Sequence, residues 1–298
     1  MRQGSGPRFS RWALPPSVQA SSPLRPNRAA LRAAQGFAPS PPRLVCLNRH
    51  GQPSISASNN MKMAMVRVGI DTGSGKMHGP LFRDGSFDYI PIPDGLGVDE
   101  RAYGNTPSRK GRKLIDYFPE SRRASMSDCS VHFDPEFESF TYGDPTPPKA
   151  GLRHLQKGDM LIFYCGLQGW DFKSDPALYL MGYFEVIAAG KPDDFGNHRT
   201  LQLLFRNNFH VRHQQVFERQ RKELVLVKGS DRSRLLKNAL CISVTGCNRR
   251  GQALKVLSPE MQKIFGSFNG RLSFQRSPTR WVDVNYVGRA AEFVRSLS

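Results

Sequence analysis

The sequence predicts an α+β fold with a mixed or antiparallel β-rich core, short C-terminal helices and a disordered N-terminal tail. Three observations predict it. Residues 1–60 hold no sustained apolar period and no acidic residue, so they offer no face to bury. From Met63 onward, short apolar runs stand between Gly, Pro and Asp punctuation: Met63 to Ile70, Met160 to Tyr164, Leu178 to Ile187, Leu201 to Phe205 and Leu224 to Val227. Runs of this length bounded by turn residues read as strands. The last third offers helix starts at Ser230-Asp231 and at Ser258-Pro259-Glu260, and an amphipathic close from Ala290 to Leu297.

Taken in order, the tail comes first. Its eight arginines carry +8 of the formal +18, leaving +10 on the remaining chain. The total fits a polyanionic partner such as nucleic acid or an anionic membrane surface. A body at +10 is equally a solvated basic surface. The tail is rich in Pro, Ser, Ala and Arg, like translated GC-rich DNA, and Met61, Met63 and Met65 stand just ahead of the first strand. A native start near Met61 fits this best, against a genuine disordered tail or a targeting segment whose prolines would interrupt an amphipathic helix.

Five cysteines, an odd number without a C-x-x-C pair, match neither a disulfide framework nor zinc spacing. A reducing cytoplasm is the simplest setting. The longest uninterrupted apolar run, around Met160 to Cys165, is far short of the roughly 20 residues that span a bilayer, so no membrane partner is expected.

The first strand breaks into the loop Asp71-Thr72-Gly73-Ser74-Gly75, with Arg67, Gly69 and Asp71 near the strand's end. Glycines let a backbone approach a ligand and present N–H groups to an anion. The spacing is neither G-x-G-x-x-G nor G-x-x-x-x-G-K-[ST], which leaves a nucleotide pocket or a plain glycine-rich hairpin. Asp84-Gly85 is a tight-turn dipeptide, and Phe87 to Pro93 alternates like a strand whose prolines confine it to an edge or rim.

Two blocks carry a family resemblance. Arg67-Val68-Gly69-Ile70-Asp71-Thr72-Gly73-Ser74-Gly75, Gly79-Pro80-Leu81-Phe82, Asp84-Gly85-Ser86-Phe87 and Tyr89-Ile90-Pro91-Ile92-Pro93 resemble the opening of the third nucleotide-modification-associated domain family. His132-Phe133-Asp134-Pro135-Glu136-Phe137 and Thr141-Tyr142-Gly143-Asp144 are similar to its next signature. The resemblance covers most of Met61 to Trp281. It implies a domain of bacteria and phages associated with making or handling modified bases in DNA.

Between the blocks, Arg109-Lys110-Gly111-Arg112-Lys113 holds phosphates or is a solvated loop, and Asp116-Tyr117-Phe118-Pro119 ends a short element. Asp128 to Asp144 gathers five carboxylates among aromatics. That mixture suits a base, with carboxylate to amine and ring to base face, or Mg²⁺ beside a phosphate, or an acidic loop whose rings plug the core. Pro145 to Gly151 reads as a linker and a possible subdivision of the 61–298 domain. The strands after Gly158-Asp159 suggest a small barrel or curled sheet, faintly similar to PUA-like and EVE-like readers of modified bases.

Trp170 stands in a loop where it stacks on a base or packs on the body. His210 and His213 share i, i+3 spacing but lack further ligands in sequence, so no metal site is expected. Lys228-Gly229-Ser230 ahead of a helix from Arg232 to Leu240 is a second candidate anion site. Arg271, Arg276, Arg280 and Trp281 interleave cations and rings, which suits a nucleic-acid backbone or a packed C-terminal segment.

No Ser/His/Asp order or zinc cluster stands out, and the sequence identifies no cofactor. The expected function is binding or processing a nucleotide or DNA base in a modification pathway. Arg67, Gly69, Asp71, Gly73, Ser74, Gly75, Asp134, Tyr142 and Asp144 would form the pocket, with Asp71 and Glu136 as the acid–base candidates. The alternatives are a non-catalytic PUA-like reader, or a scaffold for other DNA-modification enzymes.

Overall fold

The computed structural model describes residues 61–72, 77–274 and 278–297. The expected tail disorder, the start near Met61 and the loop residues Gly73, Ser74 and Gly75 lie outside or at the border of that range.

The chain enters through β1 (Met63–Arg67), the 3-10 turn Ile70–Thr72 and β2 (Gly79–Leu81). β3 (Ile92–Pro93) follows, then a 3-10 turn at Leu114–Tyr117, α1 (Glu120–Met126), β4 (Val131–His132) and β5 (Thr141–Asp144). The long central strands are β6 (Met160–Gly169) and β7 (Ala177–Gly190). Three short helices come next: α2 (His198–Phe205), α3 (Phe209–Arg212) and α4 (Gln214–Gln220). The remainder is β8 (Val225–Gly229), β9 (Arg234–Cys241), β10 (Ser243–Cys247), β11 (Ala253–Leu257), α5 (Pro259–Phe265), β12 (Arg280–Trp281) and α6 (Val284–Arg295).

The main sheet runs β12-β1-β6-β7-β8-β5, with β2 joined to β6 and β9 to β7. β1 and β2 are parallel to β6, and the other pairings are antiparallel. The α+β reading holds, but the strands do not close into a small barrel. β1 and β6 are buried along nearly their whole length, as their unbroken apolar runs require of strands covered on both faces. Their side chains and those of β7 form the core, with Phe163 and Phe184 in edge contact at 4.6 Å.

Several expectations need correction. Leu201 to Phe205 is helix rather than strand: Asn197 accepts a hydrogen bond from Thr200 N, and Leu201 and Phe205 are buried while Leu203 is 79% exposed. Arg232 to Leu240 is not a helix, because the chain from Arg234 pairs with the open flank of β7, Leu235 opposite Gly182 and Cys241 opposite Tyr179. Pro147–His154 is a 3-10 helix with Lys149 and Leu152 buried.

The expectations for Phe87 to Pro93 and for the Ser258 helix start match. Phe87 to Pro93 lies off the main sheet path, its last two residues paired with β4. Ser258 caps α5 through Met261 N, and the closing helix starts earlier than expected, behind the Asp283 cap. Among the described residues Cys129, Cys165, Cys241 and Cys247 are free thiols. Among the described residues no helix is long and apolar enough to cross a membrane.

Candidate functional site

The second sequence block meets α3 and α4 beside the sheet. Asn208 caps α3 by accepting from His210 N at 3.1 Å and reaches Thr141 Oγ1 at 3.3 Å. Phe209 N donates to Glu136 Oε1 at 2.9 Å, and the Phe209 ring stacks on His132 at 3.8 Å. Gly143 is a glycine for a steric reason. A Cβ there would stand 2.5 Å from His210 Cδ2, so the helix packs directly on β5 backbone.

A charged cluster stands beside this contact. Buried Asp99 accepts from Arg101 Nε at 3.1 Å and Nη2 at 2.9 Å, and also from Arg212 Nη2. His213 Nε2 lies 3.6 Å from the same carboxylate, and Arg212 Nη1 lies 3.7 Å from Glu136 Oε1. Burial alone would raise the Asp99 carboxyl, but hydrogen bonds from Arg101 and the charge of Arg212 hold it well below the usual range. The opposite balance holds at Glu136, where burial pushes the carboxyl up to about 7 against the pull of Arg212. Burial likewise lifts Asp134 to about 6, opposed by His210.

Over this cluster opens a cavity of about 450 Å³. Its aromatic walls are Tyr89, Phe133 and Phe137, and Arg101, Arg109 and Arg212 bring three guanidinium groups to it. Glu136, Glu138 and Asp88 supply carboxylates. Arg101 lies 4.8 Å over the Phe133 ring, and Tyr89 meets Phe133 edge-on at 6.2 Å. A pocket of this size with apolar walls and few convergent polar groups fits a small organic ligand. Guanidinium forks suit phosphate or carboxylate, and rings suit a planar heterocycle.

The expected site residues divide. Asp134, Glu136, Tyr142 and Asp144 do come together. Asp134 Oδ1 accepts from Gly143 N at 2.9 Å, and Tyr142 donates to Asp144 Oδ2 at 3.0 Å, but only Glu136 of the four lines the cavity. Lys149 is buried near Asp144 and Asp134, and burial brings its ammonium down to about 8.

Arg67 and Asp71 are instead paired with each other. Gly166 N also donates to Asp71 Oδ2 at 2.7 Å, while Asp71 Oδ1 is buried without a partner among the described residues. Gly69, at φ +89°, passes under the Tyr89 ring. Tyr89 links the two blocks, since its hydroxyl donates to Asp134 O at 2.7 Å.

The remaining candidates lie elsewhere. Trp281 pairs with Ala64 at the sheet edge, and Arg280 donates to Ser273 O at 2.7 Å. Arg271 follows a 3-10 turn at Phe268–Gly270, and Arg276 lies outside the described residues. Lys228 donates to Ser139 O, so the expected anion site ahead of a helix has neither that helix nor an unengaged ammonium. Trp170 packs its ring edge-on against Tyr117 at 5.0 Å and is 40% exposed. His210 and His213 diverge, His213 toward Asp99 and His210 toward His132 and Asp134.

Sequence reading missed Asp99, Arg101 and Arg212. The Asp99-x-Arg101 spacing was visible, but its partner lies 113 residues away.

A family model described as nucleotide modification associated domain 3 matches residues 62–296, and the chain belongs to that family. No curated protein and no solved structure matches.

Proposed function

We propose that this member of the nucleotide modification associated domain 3 family binds a nucleotide or DNA base in the cavity lined by Arg101 and Arg212, as a step in nucleotide modification. The observation that carries the proposal is the convergence, in one cavity, of three guanidinium groups, three aromatic rings and the Glu136 carboxyl group. A phosphate has its cationic partners there, a base has rings to pack on, and Glu136 stands where it meets a polar base edge. The family description associates the domain with nucleotide modification, which supports the ligand class.

Within this proposal Glu136 and Arg212 face the ligand, and Asp99 is a positioning residue that holds Arg101 and Arg212 in place. Asp71 accepts from Gly166 N of β6, and neither Arg67 nor Asp71 lines the cavity.

The test is a thermal-shift and mass-spectrometric screen of the full chain against deoxynucleosides, their phosphates and short single-stranded DNA, with natural and modified bases. Stabilisation by phosphorylated members over bare nucleosides is the expected result. A mass change in the ligand would add an enzyme activity, and stabilisation without one would leave a binding protein. Indifference to every member of the set would sink the proposal.

A further inference from the structure

Three side chains that the cavity does not use meet behind it. His132 closes β4, Asp134 follows two residues later, and His210 comes from α3. One ligand atom from each, all three lying within 4.8 Å of one another, surrounds a common point. Both imidazole Nε2 atoms are buried and lack a hydrogen-bond partner among the described residues. Two such orphans at one place are costly unless something sits between them.

The surrounding bonds fix which atoms face that point. His210 Nδ1 lies 2.6 Å from Gln220 Oε1. An amide oxygen only accepts, so Nδ1 carries the hydrogen, and in the neutral ring Nε2 presents a lone pair. That lone pair faces Asp134 Oδ2 at 3.8 Å, too far for a hydrogen bond. Asp134 Oδ1 is engaged by Gly143 N, which leaves Oδ2 turned toward the imidazoles. The His132 ring is clamped by Phe209 at 3.8 Å. A proton on His210 would answer Asp134 but leave His132 Nε2 unmatched. A cation with several coordination positions answers all three.

We propose that His132 Nε2, Asp134 Oδ2 and His210 Nε2 bind one divalent first-row transition-metal ion. Two imidazoles and one carboxylate are the donors of zinc and non-haem iron sites with open positions, whereas Mg²⁺ and Ca²⁺ prefer all-oxygen sets. Ligand atoms about 2.1 Å from one ion at the tetrahedral angle stand about 3.4 Å apart. Seating the ion therefore draws the widest pair together by up to about 1.4 Å, through rotation of the rings and of the Asp134 carboxylate. Gln220 orients His210 from outside, as the supporting partners of metal-bound histidines do. The proposal is independent of what the cavity binds.

The experiment is a titration of chelator-stripped full-length protein with Co²⁺, followed by its visible absorption, and with Zn²⁺ and Mg²⁺ by calorimetry. One equivalent of Co²⁺ or Zn²⁺ is expected, with no response to Mg²⁺. His132→Gln and His210→Gln should each abolish that equivalent, and Gln220→Ala should keep it at about 10- to 100-fold lower affinity. Circular dichroism in chelator reports whether each variant is folded. If the histidine variants fail to fold, the wild-type stoichiometry and the Gln220→Ala affinity decide. Folded wild-type protein that takes up no Co²⁺ or Zn²⁺ overturns the site, as does an equivalent bound with unchanged affinity by all three variants.

Discussion

Asp99 is the residue on which the charged cluster turns, because it joins Arg101, two positions along the chain, to Arg212 from α3. Its carboxyl titrates below its unfolded range, so the stabilisation it gives is present above about pH 4 and is lost as pH falls further toward the folded value. Asp99→Asn should lower stability at pH 7 by about 1–3 kcal/mol, since both guanidinium groups remain partly solvated. The variant should also lose less stability than wild type on acidification below about pH 4. Urea unfolding between pH 7 and pH 2.5 checks both, and parallel curves for the two proteins would remove Asp99 from this role. At this scale the sequence disclosed chemistry better than partners. Glu136 and Asp134 were visible as carboxylates among rings, but the arginines that complete the cavity come from distant segments. Arg67 and Asp71, four residues apart, looked like groups awaiting a ligand and are each other's partner.

Among elements, β7 organises the site because β6, β8 and β9 all pair with it, and register shifts near Gly182 and Val186 bend its ladders. Gly182 sits where Phe137, a cavity wall, comes down on the strand. A Cβ there would stand 2.6 Å from both Phe137 Cζ and Arg234 O. Gly182→Ala should cost about 1–3 kcal/mol by forcing β9 or Phe137 away, and thermal melting measures it. An unchanged melting temperature would mean the contact relaxes freely. The strands buried on both faces, β1 and β6, were legible because their apolar runs are continuous. β9 and α2 were not. Leu201 to Phe205 is too short an apolar run for its period to separate strand from helix, and β9 takes its structure from the flank of β7 rather than from its own residues.

Over the whole molecule, the two family blocks form adjoining parts of one structure joined at Tyr89. The first opens on the buried Arg67–Asp71 ion pair, and the second supplies part of the cavity lining, the Tyr89 hydroxyl donating to Asp134 O between them. The fold class was legible because punctuation and burial pattern are local. The open sheet and the cavity were not, because they depend on which strands find each other over long separations. The net basic charge of the chain adds a general attraction for anions, but the account rests on the local cluster of Arg101, Arg109 and Arg212. The most direct measurement is calorimetric titration of deoxynucleoside 5′-monophosphates and their matching nucleosides into wild type and Arg212→Gln. The account predicts that at least one monophosphate binds wild type about tenfold or more tighter than its nucleoside, and that Arg212→Gln removes most of that advantage while remaining folded. Equal binding of monophosphate and nucleoside, or an advantage untouched by the substitution, would contradict it.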